Sequence, residues 1–134
     1  SCTGGNIAHE ITRIAGSSSY FKGSVVSYAN EVKINVLNVS SADIDVHGVV
    51  SEPVVQQMVS GVCKVMNTDC AISTSGIAGP GGAEPGKPVG TVWIAAKAAD
   101  NVVSQCFHFP GDRERVINRA TNEGIKMLLK LLND

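Results

Sequence analysis

The sequence predicts a single α/β domain over residues 1–134, with helices on both faces of a mixed, mostly parallel β-sheet. Segments with helical spacing alternate with short β-branched segments along most of the chain, which is typical of proteins built on parallel strands. Two neighbouring strands late in the chain predict a hairpin and therefore one antiparallel strand. The 134 residues are 43% hydrophobic, which is enough for one domain with a sizeable core.

The first elements are predicted from periodicity and capping residues. An apolar run with helical spacing begins at Ile7 and ends at Gly16, and it predicts the first helix. The β-branched stretch over 23–29 predicts a strand. Residues 30–37 (NEVKINVL) predict a short helix for which Asn30 is a plausible N-cap.

A connector and a longer helix follow. Residues 40–50 (SSADIDVHGVV) predict the connector, and Ser51 is expected to cap the helix after it. Pro53 falls in the first helical turn, where a missing N–H costs nothing. This helix has one apolar face, formed by Val54, Val55, Met58, Val59, Val62, Cys63 and Met66.

The second half of the chain predicts three strands and a final helix. Residues 69–75 predict a buried strand that leads into a Gly/Pro-rich loop. Residues 89–96 and 102–109 predict a hairpin around an Asp-Asn turn at 100–101. The last helix is predicted from about Arg113 to Leu132.

Composition excludes several classes of function. The 11 basic and 12 acidic residues are well mixed, so no basic face for nucleic acid is expected. No apolar run approaches the roughly 20 residues of a membrane span. The four cysteines form no CxxC pair and the three histidines are scattered, so neither a metal nor another cofactor is expected. Reduced cysteines and the lack of a leader favour a cytoplasmic protein.

Three segments are expected to meet at the carboxyl ends of the strands, where α/β proteins bind ligands. These segments are SCTGG, SYANEVK and STSGIAGPGG. In SCTGG, Gly4 and Gly5 allow backbone N–H groups to approach an anion or a developing oxyanion at a helix start. The alternative is that these glycines only allow tight packing of helix against sheet.

The Gly-rich loop offers a second set of backbone donors. Gly76, Gly79, Gly81 and Gly82 predict a concave nest for phosphate or carboxylate, although the loop matches neither GxxxxGK[ST] nor GxGxxG. Loops of this length within compact domains are often functional. The alternative is a plain connector.

Lys33 and Arg113 are the candidate cations. A lysine destabilised by burial can accept the proton of a nucleophilic serine, and a guanidinium can grip phosphate or carboxylate through two hydrogen bonds. The alternatives are a solvated surface lysine and a surface arginine paired with Asp112 or Glu114.

Seven segments follow one another along the chain, namely SCTGG, AGSS, SYANEVK, HGVVSEPVV, SGIAGPGG, KPVGTVWIA and FPGDR. Taken in order, they resemble the CinA C-terminal domain, the nicotinamide-nucleotide amidase family. The motifs extend over nearly the whole chain. The resemblance implies a three-layer α/β/α sandwich on a mixed sheet and a homodimer or larger assembly. It implies hydrolysis of the carboxamide of nicotinamide mononucleotide to nicotinic acid mononucleotide and ammonia, as part of pyridine nucleotide recycling.

The resemblance also assigns site residues. It implies that Ser1 is the nucleophile and that Lys33, Ser75 and Arg113 complete the catalytic set, with N–H groups near Thr3 to Gly5 stabilising the oxyanion. Substrate-binding residues are expected at Thr3, Gly4, Gly5, Tyr28, Asn30, Gly76, Gly79 and Gly81. The substrate phosphate is expected on the Gly-rich loop, on Arg113, or on both.

Two alternatives to this interpretation remain open. The first is a non-catalytic module that binds a nucleotide or a partner. The second is an amidase that acts on another substrate. The family domain also has a helix and a strand ahead of SCTGG, which we expect to be missing before residue 1. The alternative is that Ser1 is a mature N-terminus whose own amine serves as the base.

Overall fold

The computed structural model describes residues 1–134 as five α-helices, one short 3₁₀ helix and three strands. The helices are α1 (Asn6–Thr12), α2 (Asn30–Asn35), α3 (Ser41–His47), α4 (Glu52–Met66) and α5 (Arg113–Asn133), and the 3₁₀ helix is Ser17–Ser19. The strands β1 (Cys70–Gly76), β2 (Thr91–Ala98) and β3 (Asn101–His108) form one sheet in the order β1-β2-β3. None of the helices combines the length and the apolar character needed to cross a membrane.

The α/β class is confirmed, but the prediction of a mostly parallel sheet is wrong for these strands. Both strand pairs are antiparallel, with Cys70 opposite Ala98 and Thr91 opposite His108. A parallel pair requires a crossover connection, usually a helix. Here β1 and β2 are joined by loop 77–90, and β2 and β3 by a tight turn at Ala99 and Asp100, one residue earlier than predicted.

The strand predicted over 23–29 is absent, because residues 21–28 form neither helix nor strand. A β-branched segment becomes a strand only beside a hydrogen-bonded neighbour. A groove of about 760 Å³ lies between this segment and β1, and its walls are mostly apolar. The two segments are separated by this groove, and β1 pairs only with β2.

The helices mostly match their predictions, although α1 ends at Thr12 rather than at Gly16. Ala29 rather than Asn30 is the N-cap of α2, because the Ala29 carbonyl accepts from the N–H groups of Val32 and Lys33. The predicted connector over 40–50 contains helix α3. Its start is stabilised by Ser40, whose hydroxyl accepts from the Asp43 N–H at 3.2 Å.

Ser51 precedes α4 as predicted, but its hydroxyl does not cap the helix. It donates instead to the Gly48 carbonyl at 2.8 Å, which closes the turn between α3 and α4. This turn matters for the site, because it includes Val49.

The core divides between the two faces of the sheet. On one face, α4 residues pack with Ala95 and with Leu37 and Val39 of the segment after α2. On the other face, Val116 and Ala120 of α5 pack with Val92 and Ile94. Because neighbouring residues of β2 point to opposite faces, α4 and α5 lie on opposite sides of the sheet.

Close packing of α4 fixes the position of α2. Gly61 lies in the middle of α4, and a Cβ there would overlap the Leu37 carbonyl. The lack of a side chain therefore lets the helix contact the backbone that follows α2. This contact supports the helix that carries Lys33.

Candidate active site

A cleft of about 230 Å³ lies at the carboxyl end of β1. It brings together the three segments that the sequence predicted to meet at strand ends: the start of SCTGG, the SYANEVK segment and the Gly-rich loop. The start of α5 completes its wall. Of the predicted site residues, the cleft is lined by Ser1, Lys33, Ser75, Arg113, Tyr28, Asn30, Gly76, Gly79 and Gly81.

Thr3, Gly4 and Gly5 do not line this cleft. They lie along the larger apolar groove instead. The Thr3 N–H donates to the Ser1 carbonyl at 2.6 Å, so it is already paired within the chain. The Thr3 N–H is therefore not free to stabilise an oxyanion, and the donor role of Gly4 and Gly5 stays a prediction.

Ser1 is held beside the end of β1 by its backbone. Its nitrogen donates to the Thr74 carbonyl at 3.0 Å, and the Thr74 hydroxyl donates to the Ser1 carbonyl at 2.7 Å. The chain then turns sharply at Cys2, which has a φ of 64°. These contacts direct the Ser1 side chain into the cleft.

The Ser1 hydroxyl lies next to a second hydroxyl. Ser1 Oγ is 3.5 Å from Ser75 Oγ, and Ser75 Oγ donates to the Val49 carbonyl at 2.8 Å. Ser75 is almost fully buried. Because its only proton goes to Val49, its oxygen is free to accept from Ser1 or from a neighbouring amine.

Lys33 is buried without a carboxylate partner. Its side chain is 1% exposed, and its Nζ donates to the Ser27 carbonyl at 2.7 Å and to the Tyr28 carbonyl at 3.5 Å. No salt bridge involves it. Burial lowers the pKa of Lys33 below its ordinary value of 10.5, because the charged ammonium is poorly solvated there.

Arg113 connects two walls of the cleft. Its Nη1 donates to the Gly79 carbonyl at 2.8 Å, and its Nη2 donates to the Tyr28 hydroxyl at 3.4 Å. It makes no ion pair with Asp112 or Glu114. Asp112 instead caps α5 by accepting from the Arg115 N–H at 2.9 Å.

The cleft favours a ligand with negative charge. The guanidinium of Arg113 lines it, and no aspartate or glutamate does. The backbone N–H groups of Ala78, Gly79, Gly81 and Gly82 make no hydrogen bond within the protein. Free N–H groups in a glycine-rich loop beside a guanidinium are suited to an anionic group such as phosphate.

Sequence reasoning did not single out several residues that line the cleft, namely Cys2, Val49, Ile77 and Ala78, whereas Gly82 lines it as part of the predicted nest. Val49 contributes a carbonyl, which no side-chain pattern reveals. Cys2 was considered only as one of four reduced cysteines, although its position directly after Ser1 was a usable signal. Burial raises the pKa of the Cys2 thiol, so the thiol is kept in its neutral form beside Ser1.

The fold and the cleft define an α/β protein with a buried lysine and a serine at one strand end. A family model described as "CinA C-terminal domain" matches residues 1–132. The chain belongs to the CinA C-terminal domain family.

Two relatives show how much of each protein the similarity covers. Nicotinamide-nucleotide amidohydrolase PncC from Escherichia coli strain K12 is 46% identical over 129 residues, which are 96% of this chain and 78% of that protein. A CinA-like protein from Flavobacterium psychrophilum is 47% identical over 130 residues, which are 97% of this chain. The chain spans only 31% of the length of that second relative.

Solved structures share the fold. Competence damage-inducible protein A from Klebsiella pneumoniae superposes with a TM-score of 0.95 at 38% identity, over 99% of this chain and 83% of that chain. A competence/damage-inducible protein from Agrobacterium tumefaciens gives a TM-score of 0.95 at 35% identity, over 100% of this chain and 82% of that chain.

Proposed function

We propose that this protein hydrolyses the carboxamide of nicotinamide mononucleotide to nicotinic acid mononucleotide and ammonia, with Ser1 as nucleophile and Lys33 as base. The observation that carries the proposal is a buried lysine without a carboxylate partner, in the same cleft as Ser1. The chain's similarity to the amidohydrolase from Escherichia coli supports the choice of substrate.

The contacts of Lys33 suit the role of a base. A neutral amine has two N–H donors and one lone pair, whereas an ammonium has three donors and no lone pair. The Ser27 and Tyr28 carbonyls accept two N–H groups, which leaves the lone pair of the neutral amine for a third direction. We assign that direction to the Ser1 hydroxyl on the other side of the cleft.

The reaction then proceeds in two stages. Neutral Lys33 accepts the Ser1 proton while Ser1 Oγ forms a bond to the carboxamide carbon. The tetrahedral intermediate collapses with transfer of a proton to the departing nitrogen, so ammonia leaves and a serine ester remains. Water, activated by the same amine, hydrolyses the ester and restores Ser1.

Backbone donors stabilise the charges of the substrate and the transition state. The Cys2 N–H lies directly after the nucleophile and has no partner within the protein, so we assign it to the oxyanion in place of Thr3 to Gly5. The substrate phosphate is assigned to Arg113 and the free N–H groups of the Gly-rich loop. The fixed positive charge of the pyridinium makes the carboxamide more electrophilic.

Ammonia release tests this proposal. The protein is expected to release ammonia from nicotinamide mononucleotide, with a kcat that rises with pH along a limb whose midpoint lies below 10.5, since only unprotonated Lys33 accepts a proton. The measurement is a coupled ammonia assay from pH 6 to 10 in buffers of about constant ionic strength.

A panel of substrates separates the alternatives. Nicotinamide riboside lacks the phosphate and is expected to react with a raised KM, while simple amides react poorly. Binding of the mononucleotide without release of ammonia would identify a non-catalytic binding module. Faster release from another amide would identify a different substrate.

We also propose that two copies pair through β3. This strand is at the edge of the sheet, and its sequence NVVSQCFH contains no lysine, arginine, acidic residue or proline, the residues that usually protect an edge. Val102 and Val103 are partly exposed along it. Antiparallel pairing of this neutral edge with its own copy gives a closed, two-fold dimer.

Light scattering after size-exclusion chromatography tests the dimer. The wild-type protein is expected at twice the mass of the chain, and Val103→Lys is expected to shift it to the monomer, since lysines along the edge oppose pairing. Val46→Lys is the matched control, because Val46 lies on α3 and is more exposed still. A monomeric wild type, or a Val103→Lys dimer, would contradict pairing through β3.

Three broader assignments accompany this proposal. Residues 1–134 act as one amidohydrolase domain. The two helical layers on opposite faces of the sheet support the three-layer α/β/α sandwich. The four free cysteines support a cytoplasmic location.

A further inference from the structure

The turn after Ser1 is strained and needs support from its surroundings. Thr3 N–H donates to the carbonyl two residues back, Ser1, at 2.6 Å, and Cys2 between them has a φ of 64°. A three-residue turn with a positive central φ is rare, and it costs free energy for any residue with a side chain. Such a turn persists only where neighbouring groups hold it in place.

Thr74 makes the contacts that hold it. The Thr74 carbonyl accepts from the Ser1 nitrogen at 3.0 Å, and its Oγ1 donates to the Ser1 carbonyl at 2.7 Å. One residue of β1 therefore binds both backbone polar groups of Ser1. Thr74 is 3% exposed, so water does not compete for these hydrogen bonds.

We propose, on the basis of the proposed function, that Thr74 is a positioning residue that holds the Ser1 backbone so that its hydroxyl points at the substrate. The bond to Oγ1 is the part that a substitution can remove. Without it the Ser1 carbonyl keeps only the Thr3 N–H, and the turn at Cys2 relaxes toward a less strained backbone. The Ser1 hydroxyl then moves away from Ser75 and from the substrate carbon.

Thr74 differs from the catalytic set in what it touches. It does not line the cleft, and the hydrogen bond of its hydroxyl goes to the backbone of the nucleophile. Its loss is therefore expected to lower kcat without changing how the nucleotide binds. A displacement of about 1 Å at a reacting atom is enough for a loss of roughly 100-fold.

The test compares Thr74→Val with Thr74→Ser. Valine keeps the shape of the side chain but lacks the donor, and it is expected to lower kcat about 10- to 100-fold with KM unchanged. Serine keeps the donor and is expected to restore kcat to within about threefold of wild type. Ser73→Ala is the matched control, because Ser73 is also buried in β1. Its hydroxyl donates to the Val55 carbonyl of α4 at 2.7 Å and not to the Ser1 backbone.

A fluorophosphonate gives a second readout that does not depend on the substrate. Ser1 Oγ forms a bond to phosphorus and fluoride leaves, so the labelling rate reports how the nucleophile is held. Labelling of Thr74→Val is expected to slow as kcat does, while Ser73→Ala labels like the wild type. Melting temperatures of both variants show how much stability each hydroxyl contributes.

The outcomes separate this proposal from the proposed function. The role of Thr74 is overturned if Thr74→Val has the same kcat and labelling rate as the wild type. It is also overturned if Ser73→Ala loses as much kcat as Thr74→Val, or if Thr74→Ser does not recover the kcat of the wild type. A wild-type protein that is labelled but releases no ammonia overturns the proposed function, and the labelling rates alone then decide the role of Thr74. A wild type that is neither labelled nor active overturns both.

Discussion

Replacing Lys33 with methionine is expected to lower kcat for nicotinamide mononucleotide by about 10³-fold, equivalent to roughly 4 kcal/mol of activation free energy. Methionine nearly preserves the volume and the apolar stem of the lysine but has no lone pair of comparable basicity. The nucleotide is expected to bind nearly as before, because Arg113 and the Gly-rich loop remain in place. Steady-state kinetics with the ammonia assay measure the effect.

The same substitution is expected to stabilise the fold at neutral pH. Burial lowers the folded pKa of Lys33, so the folded state binds fewer protons than the unfolded state between that pKa and 10.5. The free energy of unfolding of the wild type therefore rises with pH across this window. At pH values below the folded pKa, the folded wild type bears the full free-energy cost of a buried ammonium. Lys33→Met removes that cost and is expected to melt at a higher temperature at pH 7.

Opposite effects on activity and stability distinguish a lost base from a damaged fold. Lys126→Met is the control, because the Lys126 side chain is 71% exposed on α5 and is expected to change neither quantity appreciably. If Lys33→Met keeps more than about a tenth of wild-type kcat, Lys33 is not the base.

Periodicity predicted the longer helices well because it depends only on neighbouring residues, whereas the side-chain caps predicted at Asn30 and Ser51 do not form. The apolar face of α4 and its start after Ser51 follow directly from the sequence. Helix α3 was missed because it has only 7 residues and little apolar periodicity, although Ser40 with Asp43 three residues later is a usable capping signal. The strand over 23–29 failed for another reason: pairing depends on a distant partner that composition does not reveal.

The site was predicted through side chains and completed by backbone groups. The residues pointed to Lys33 and the family resemblance to Lys33 and Ser75, and the structure places both in the cleft with Ser1. The carbonyls of Ser27, Tyr28 and Val49 orient these side chains, but every residue has a carbonyl, so no sequence pattern marks them. The sequence also left open a surface ion pair for Arg113, whereas its guanidinium donates to a carbonyl of the Gly-rich loop.

The fold supports the lysine through packing. Lys33 lies on a helix of only 6 residues, too short to be stable alone. The Val39 N–H donates to the Lys33 carbonyl at 3.0 Å, and Leu37 and Val39 are buried against α4. The position of the base thus depends on the close approach that Gly61 permits, so the core and the chemistry are coupled.

Replacing Ser1 with alanine is expected to lower kcat by about 10⁴-fold or more, because no covalent intermediate can form without the hydroxyl. Binding of the nucleotide, measured by calorimetry, is expected to change by less than about threefold, since the side chain loses one small polar group. Mass spectrometry after rapid quenching adds a direct check: the wild type is expected to show an ester of nicotinic acid mononucleotide on Ser1 and the variant none.

The double variant Ser1→Ala/Lys33→Met tests whether the two groups work as one unit. A base has nothing to activate once the nucleophile is gone, so the double variant is expected to be no slower than Ser1→Ala alone. Independent roles would instead multiply the losses, to about 10⁷-fold from the two values expected above. Losses that multiply in this way would show that Lys33 promotes the reaction by binding or electrostatics rather than by taking the Ser1 proton. The lone pair oriented by the Ser27 and Tyr28 carbonyls would then need another role.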